Sequence, residues 1–316
     1  MSEDIYLPDD LFGPGLDTLL IIGNGFDLDL GLNTRYADFA KSEFWPFKDR
    51  CPMSSSLGAY LNRHSKDSWF DLENSMAKFS SSKRFSLAPW THRNSFVQQV
   101  KEDDICLVSK LQEYLSIAEN GKLNEESIAA TILRKISDCL VPATIYSFNY
   151  TSLESIGKRL GTEYGFRTLH VHGTLKNKDA ILGFNESPKI ALPLSFMCKS
   201  RRPKYASTSL FDAMPRYKNI IIFGLSLGEI DYGYFKDFFD GVHKGKYNEK
   251  HIRIITYDEN SRQHILSNIQ KMTGNIFDFG KYVNFKVIKT NDKSDEAEFE
   301  ELYNLLDPKW EVDFGM

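Results

Sequence analysis

The chain of 316 residues is 41% apolar and 26% charged, which suits one α/β core carrying an insertion, or two modest domains. No window approaches the roughly 20 apolar residues of a membrane-spanning helix, and the formal charge of −4 removes any general attraction to nucleic acid. Cys51, Cys106, Cys139 and Cys198 lie far apart with no C-x-x-C pair, so neither a zinc ribbon nor a disulfide framework is indicated.

The first residues are acidic, and no apolar stretch of the signal-peptide kind precedes Pro8; the expectation is a cytoplasmic protein without a secretory leader. Asp17 to Gly23 is a short apolar run ending in glycine, the pattern of a strand buried on both faces of a parallel sheet. From about Tyr36 to Leu140 helical spacing takes over, as in Trp69-x-x-Leu72-x-x-x-Met76 and at Leu107, Leu111 and Leu115. Strand patterns return at Ala143–Phe148, Thr168–His172, Ala180–Gly183, Asn219–Gly224, His251–Tyr257 and Val283–Ile288. Strands alternating with helices predict an α/β, doubly wound, mostly parallel Rossmann-like sheet. Residues 1–35 and 141–316 would form the dinucleotide-binding core and residues 36–140 an inserted helical subdomain near the ligand crevice.

Polar residues gather where these strands end. Gly23-Asn24-Gly25-Phe26-Asp27 follows the first strand and opens a helix, the setting in which glycines and helix-terminal amides meet a phosphate. Leu28 stands where a dehydrogenase fingerprint has its third glycine, so an ordinary nicotinamide dehydrogenase is disfavoured, and a plain structural turn is the alternative. Asn149, in Ser147-Phe148-Asn149-Tyr150-Thr151, is either a helix cap or a crevice residue. In His170-Val171-His172-Gly173 a period of two puts both histidines on one strand face and Leu169 and Val171 on the other. Two imidazoles in a buried strand need partners or a cavity. Without further ligands at suitable spacing no metal is expected. Gly224 and Ser226 at a later strand end would meet a second phosphate or a ribose, and Asp258 would accept from ribose hydroxyls, unless each is turn chemistry. Asp71 and Glu73 are either solvated surface charges or reach the crevice from the insertion. The basic run Lys199 to Lys204 reads as a solvated loop.

Taken together, Gly23-Asn24-Gly25-Phe26-Asp27-Leu28, Gly31-Leu32-x-Thr34-x-Tyr36-x-Asp38-Phe39, Trp69-Phe70-Asp71-Leu72-Glu73, Ser147-Phe148-Asn149-Tyr150-Thr151, His170-Val171-His172-Gly173 and Phe223-Gly224-x-Ser226-Leu227-Gly228-Glu229-x-Asp231 resemble the AbiH family of phage abortive-infection proteins over roughly residues 19 to 242. A more distant resemblance links the same motif order to sirtuins and sirtuin-like NAD-cleaving defence proteins. That resemblance implies that Gly23, Gly25 and Ser226 hold NAD, that Asn149 faces the nicotinamide ribose, and that His172 is the catalytic base. Thr151 stands where an aspartate is usual and Asn24 where a small alanine is, and the deacetylases' zinc cysteines are missing, which argues against protein deacylation. The implied activity is hydrolysis of NAD to nicotinamide and ADP-ribose in antiphage defence, with a phage-derived or host trigger and self-association as implied partners. A non-catalytic nucleotide sensor on the same fold is the alternative.

Overall fold

The computed structural model describes residues 18–51, 54–67, 70–82, 92–138, 143–162, 166–187, 189–202, 210–276, 279–292 and 295–306. Its strands are β1 (Thr18–Ile22), β2 (Ala143–Ser147), β3 (Phe166–His170), β4 (Asn219–Phe223), β5 (His251–Thr256) and β6 (Asn284–Lys289). Between β1 and β2 run α1 (Asn24–Asp29), α2 (Tyr36–Lys41), α3 (Leu57–His64), α4 (Leu72–Ser81), α5 (Arg93–Ala118) and α6 (Ile128–Ser137). The later crossovers carry α7 (Leu153–Arg159) before β3, α8 (Tyr232–His243) before β5 and α9 (Glu259–Thr273) before β6, and α10 (Glu296–Leu306) follows β6.

All neighbouring strands pair in parallel, in the order β3-β2-β1-β4-β5-β6. The chain winds outward from β1 through β2 and β3, then returns to the other side of β1 as β4. This reversal creates a switch point between β1 and β4 at the carboxyl ends of the strands, the place where folds of this kind bind their ligands. The sheet is the doubly wound, Rossmann-like α/β architecture that the alternating pattern predicted.

Strand alternation explains the two layers. Leu19, Ile21, Ile220, Ile222, Ile252 and Ile254 join one core with residues of α8 and α9, whereas Leu20, Ile22, Ile145, Ile221, Phe223 and Ile255 join another with residues of α1, α6, α7 and α10. Continuous apolar strands are therefore needed, because neither face meets water. Helix α6 lies in the second layer, its start fixed by Ser127 Oγ and Asp29 Oδ2, which accept from the amides of Ala130 and Ala129. The preceding helices build a third core in which Leu72, Met76, Leu107, Leu111 and Leu115 are buried with Leu182, Phe184, Met197 and Cys198. Trp69, predicted to share the Leu72 face, lies outside the described residues.

Two local expectations are corrected. Ala180–Gly183 is not a strand: Ile181 N donates to His172 O at 2.8 Å, and Phe184 forms only an isolated bridge with Cys198. The apolar run packs irregularly into the third core, an ambiguity inherent in short apolar stretches. Strand β3 also ends at His170, two residues earlier than predicted. Leu169 and Val171 do face the same core, but His172 lies past the strand, where the period of two no longer sets its direction. Gly173, at φ 74°, then turns the chain in a conformation that glycine adopts at little steric cost.

Candidate functional site

The glycine loop joins two strand ends. Gly23 N donates to Phe223 O and Gly25 N to Gly224 O, each at 2.9 Å, while Gly224 N donates to Ile255 O at 3.0 Å. A Cβ on Gly25 would lie 2.5 Å from Gly224 Cα, and one on Gly224 would lie 2.3 Å from Phe26 N. Backbone packs directly on backbone at the switch point, and side chains on these glycines would separate the loops. The amides of Gly23, Gly25 and Gly224 are therefore engaged within the protein, as is Phe26 N, which donates to Gly23 O. The Phe26 ring is buried and packs edge-on against Phe223. The exposed side chains at this rim are those of Asn24, whose Oδ1 accepts from Thr34 Oγ1 at 2.6 Å, and of Ser226. Asp258 caps α9, accepting from Ser261 N at 2.8 Å, and those bonds from Ser261 hold its carboxyl below the usual range.

Beneath the loop lies a buried polar cluster. Asn149 Nδ2 donates to Gly23 O at 3.0 Å and to Asp27 Oδ1 at 2.8 Å, and Thr151 Oγ1 donates to Asp27 Oδ2 at 2.9 Å. Two acceptors fix the orientation of the Asn149 amide. Burial pushes the Asp27 carboxyl up to about 7, against the hydrogen bonds from Thr151 and Asn149 that favour its ionised form. The helix-cap alternative for Asn149 falls away, because Ser152 caps α7 by accepting from Ser155 N. His170 supports the same turn: its Nδ1–H donates to Asn149 O at 3.1 Å, and burial lowers its pKa.

A second cluster gathers around His172, which is 5% exposed. Its Nε2 accepts from Lys199 Nζ at 3.2 Å, and Lys199 Nζ also donates to Glu73 Oε2 at 3.1 Å. Gly183 N donates to Glu73 Oε1 at 3.2 Å. Burial first, and then the Lys199 charge, push the His172 pKa well below its ordinary value, while a hydrogen bond to the Phe148 backbone acts the other way. His172 is thus a neutral imidazole with both nitrogens engaged. Burial raises the Glu73 pKa against the opposing pull of Lys199. Asp231, just before α8, is pushed up to about 6 by burial, again opposed by Lys199. The Phe148 and His172 rings pack edge to face with centroids 5.3 Å apart, and the Tyr234 centroid lies 6.2 Å from that of His172.

The two clusters meet through consecutive residues of β2's exit: Phe148 contacts His172, Asn149 holds Asp27, and Tyr150 reaches the insertion. Tyr150 OH donates to Ile181 O at 3.1 Å and accepts from the Tyr36 hydroxyl. Of the predicted residues, Gly23, Gly25, Asp27, Asn149 and Gly224 come together at the switch point, and His172 lies beside Phe148. Asp258 works as a helix cap, and Ser226 stands exposed on the rim.

The open reading of Asp71 and Glu73 divides between them. Glu73 reaches the His172 cluster through Lys199, whereas Asp71 is the exposed N-cap of α4, accepting from Asn74 N. The expectation of a solvated Lys199–Lys204 loop is corrected at Lys199, which is 1% exposed, and at Arg202, whose guanidinium forms a bidentate pair with Asp104 at 2.5 and 2.8 Å. Both face the insertion's carboxylates, which makes burial tolerable. Arg201 is exposed and pairs with Glu186, and Lys204 lies outside the described residues. No pattern at Lys199 marks it as buried; its partners lie 126 and 27 positions away.

Among the described residues, no group of three or more His, Cys, Asp or Glu side chains is placed to hold a metal ion. No described helix is long and apolar enough to cross a membrane. No curated protein and no solved structure matches the chain. The family model described as bacteriophage abortive infection AbiH matches residues 19–255, a span that runs from β1 into β5 and contains both polar clusters. On that match, the chain belongs to the AbiH family of phage abortive-infection proteins.

Proposed function

We propose that the switch-point crevice binds NAD and hydrolyses its nicotinamide–ribose bond, so that the abortive-infection role is carried out by NAD depletion. The observation that carries the reading is the buried Asp27–Asn149 pair at the carboxyl ends of β1 and β2. A desolvated carboxyl held by an oriented amide is costly to fold and suits a site that must bind sugar hydroxyls and handle protons near neutral pH. Because Asn149 Nδ2 is spent on Gly23 and Asp27, its carbonyl Oδ1 is the atom offered to a ribose hydroxyl.

The reaction consumes water and NAD and yields nicotinamide, ADP-ribose and one proton. Nicotinamide leaves as a neutral molecule from a cationic ring, so the bond breaks without a strong general acid and through an oxocarbenium-like state. The protein's tasks are to orient the ribose and water and to accept the proton from that water. His172 is assigned the proton, at Nε2, after Lys199 has turned from it toward Glu73 and Asp231. Phosphate contact would fall to the exposed rim around Asn24 and Ser226, since the neighbouring glycine amides are engaged.

A second reading, a nucleotide sensor without turnover, is favoured by one observation: both His172 nitrogens and the glycine-loop amides already have protein partners. Incubating purified protein with NAD, with and without phage lysate, separates the readings. Release of equal amounts of nicotinamide and ADP-ribose supports hydrolysis. Saturable NAD binding with no product under either condition supports the sensor, and no binding at all removes both.

A further inference from the structure

The helical insertion carries a concave site built from residues outside the strand-end motifs. Between α2, the following loop and α3 opens a cleft of about 710 Å³, within the range of small-molecule pockets. Its walls carry Lys41, Lys48, Arg50, Asn62 and Lys66, with Asp49 the one acid among the lining residues. Lys41, Lys48 and Lys66 are exposed and have no carboxylate partner among the described residues. This excess of cation stands on a chain whose formal charge is −4.

The floor is built rather than incidental. Trp45, 3% exposed, donates its Nε1–H to Asn62 Oδ1 at 2.9 Å. That bond fixes the Asn62 amide so that its NH2 group remains to donate. Arg50 is held by Asp103 Oδ1 at 2.6 Å, and Asp103 in turn accepts from Gly58 N at 2.8 Å. The guanidinium is thereby fixed at the wall with further N–H groups beyond those that Asp103 uses. Nearly every polar side chain in the cleft is a donor, which is the requirement for binding an anion with several acceptor oxygens.

We propose that this cleft binds a small ligand carrying two or more adjacent phosphates, of the polyphosphate class. Three ammonium groups without a carboxylate partner among the described residues, set around one concavity, match a compact multivalent anion. A nucleic-acid strand would instead need a basic track, and the exposed acid Asp49 interrupts the basic lining here. The site is independent of NAD hydrolysis.

Cys51 lines this cleft and is exposed, while Cys106 is exposed on α5. The full-length protein would be alkylated with iodoacetamide in the presence of inorganic triphosphate or ATP, with both cysteines followed by mass spectrometry. The expected result is slowing of Cys51 alkylation with Cys106 unaffected, and roughly tenfold more ligand needed for the same protection in the Lys41→Glu/Lys66→Glu variant. Both substitutions sit at exposed positions, and an unchanged melting temperature checks the fold; Lys48→Glu serves as a second variant. The proposal is overturned by absence of protection at millimolar ligand, by protection undiminished in both variants, or by stronger protection from a single-stranded oligonucleotide than from triphosphate.

Discussion

Asn149 reaches from the end of β2 to the carboxyl of Asp27 beyond β1, donating to it at 2.8 Å in a position where both residues are almost wholly buried. With the 3.0 Å bond from Asn149 Nδ2 to Gly23 O, it ties the glycine loop to the polar exit of β2. It makes the state of Asp27 a measurable property of the fold.

Burial raises the Asp27 pKa from 3.8 to about 7. Between those values the folded protein holds a proton that the unfolded chain has released, so stability falls as pH rises through this window. Asp231, raised to about 6, acts in the same direction. Chemical unfolding at pH 5 and pH 8 should show a loss of up to about 2.6 kcal/mol from Asp27. Asp27→Asn, which keeps the shape and one of the two acceptor oxygens, should flatten the Asp27 part of the profile. An equally steep profile in that variant would place the titration elsewhere.

Lys199 is the cation that two clustered carboxyls and His172 share. Lys199→Met should leave Glu73 buried without its counter-charge and cost about 3 kcal/mol or more. The same change removes the cation that depresses the His172 pKa, so histidine NMR titration should show that pKa rising. Adding Glu73→Gln should recover a large part of the lost stability. A single variant as stable as the parent would mean that the Glu73–Lys199 contact does not hold the insertion against the crevice.

Gly25 distinguishes a packing role from a ligand role. A methyl group there meets the Gly224 backbone at 2.5 Å, so Gly25→Ala should destabilise the protein by about 1–3 kcal/mol through forced separation of the two loops. A melting temperature that stays put, with NAD affinity lost, would instead assign the glycine to ligand approach alone.

Much of this was legible in the sequence because parallel strands buried on both faces leave an unbroken apolar run, as in Thr18–Ile22 and Asn219–Phe223. The polar residues that follow such runs necessarily lie at one edge of the sheet, which is why Gly23, Asp27, Asn149 and Gly224 were found together. The alternating pattern extends β3 to His172, whereas the strand stops at His170, because a pattern of two residues cannot report where a ladder ends. Lys199 was hidden for a different reason. Its burial depends on Glu73 and His172, long-range partners that no local spacing encodes, and a basic run reads the same whether solvated or paired.

The most direct measurement is nicotinamide release from NAD by the parent protein and by His172→Ala, His170→Ala and Asn149→Ala, with melting temperature and NAD affinity determined in parallel. Asn149→Ala should lower both stability and NAD affinity, since it strips a hydrogen bond from buried Asp27. His170→Ala should lose stability before turnover, since its described bond supports the Asn149 backbone. His172→Ala should stay folded and bind NAD while turnover falls by roughly 10²-fold or more. Full turnover in a folded His172 variant would contradict its assignment as the base, and absence of any nicotinamide from the parent protein, with or without phage lysate, would contradict NAD hydrolysis itself.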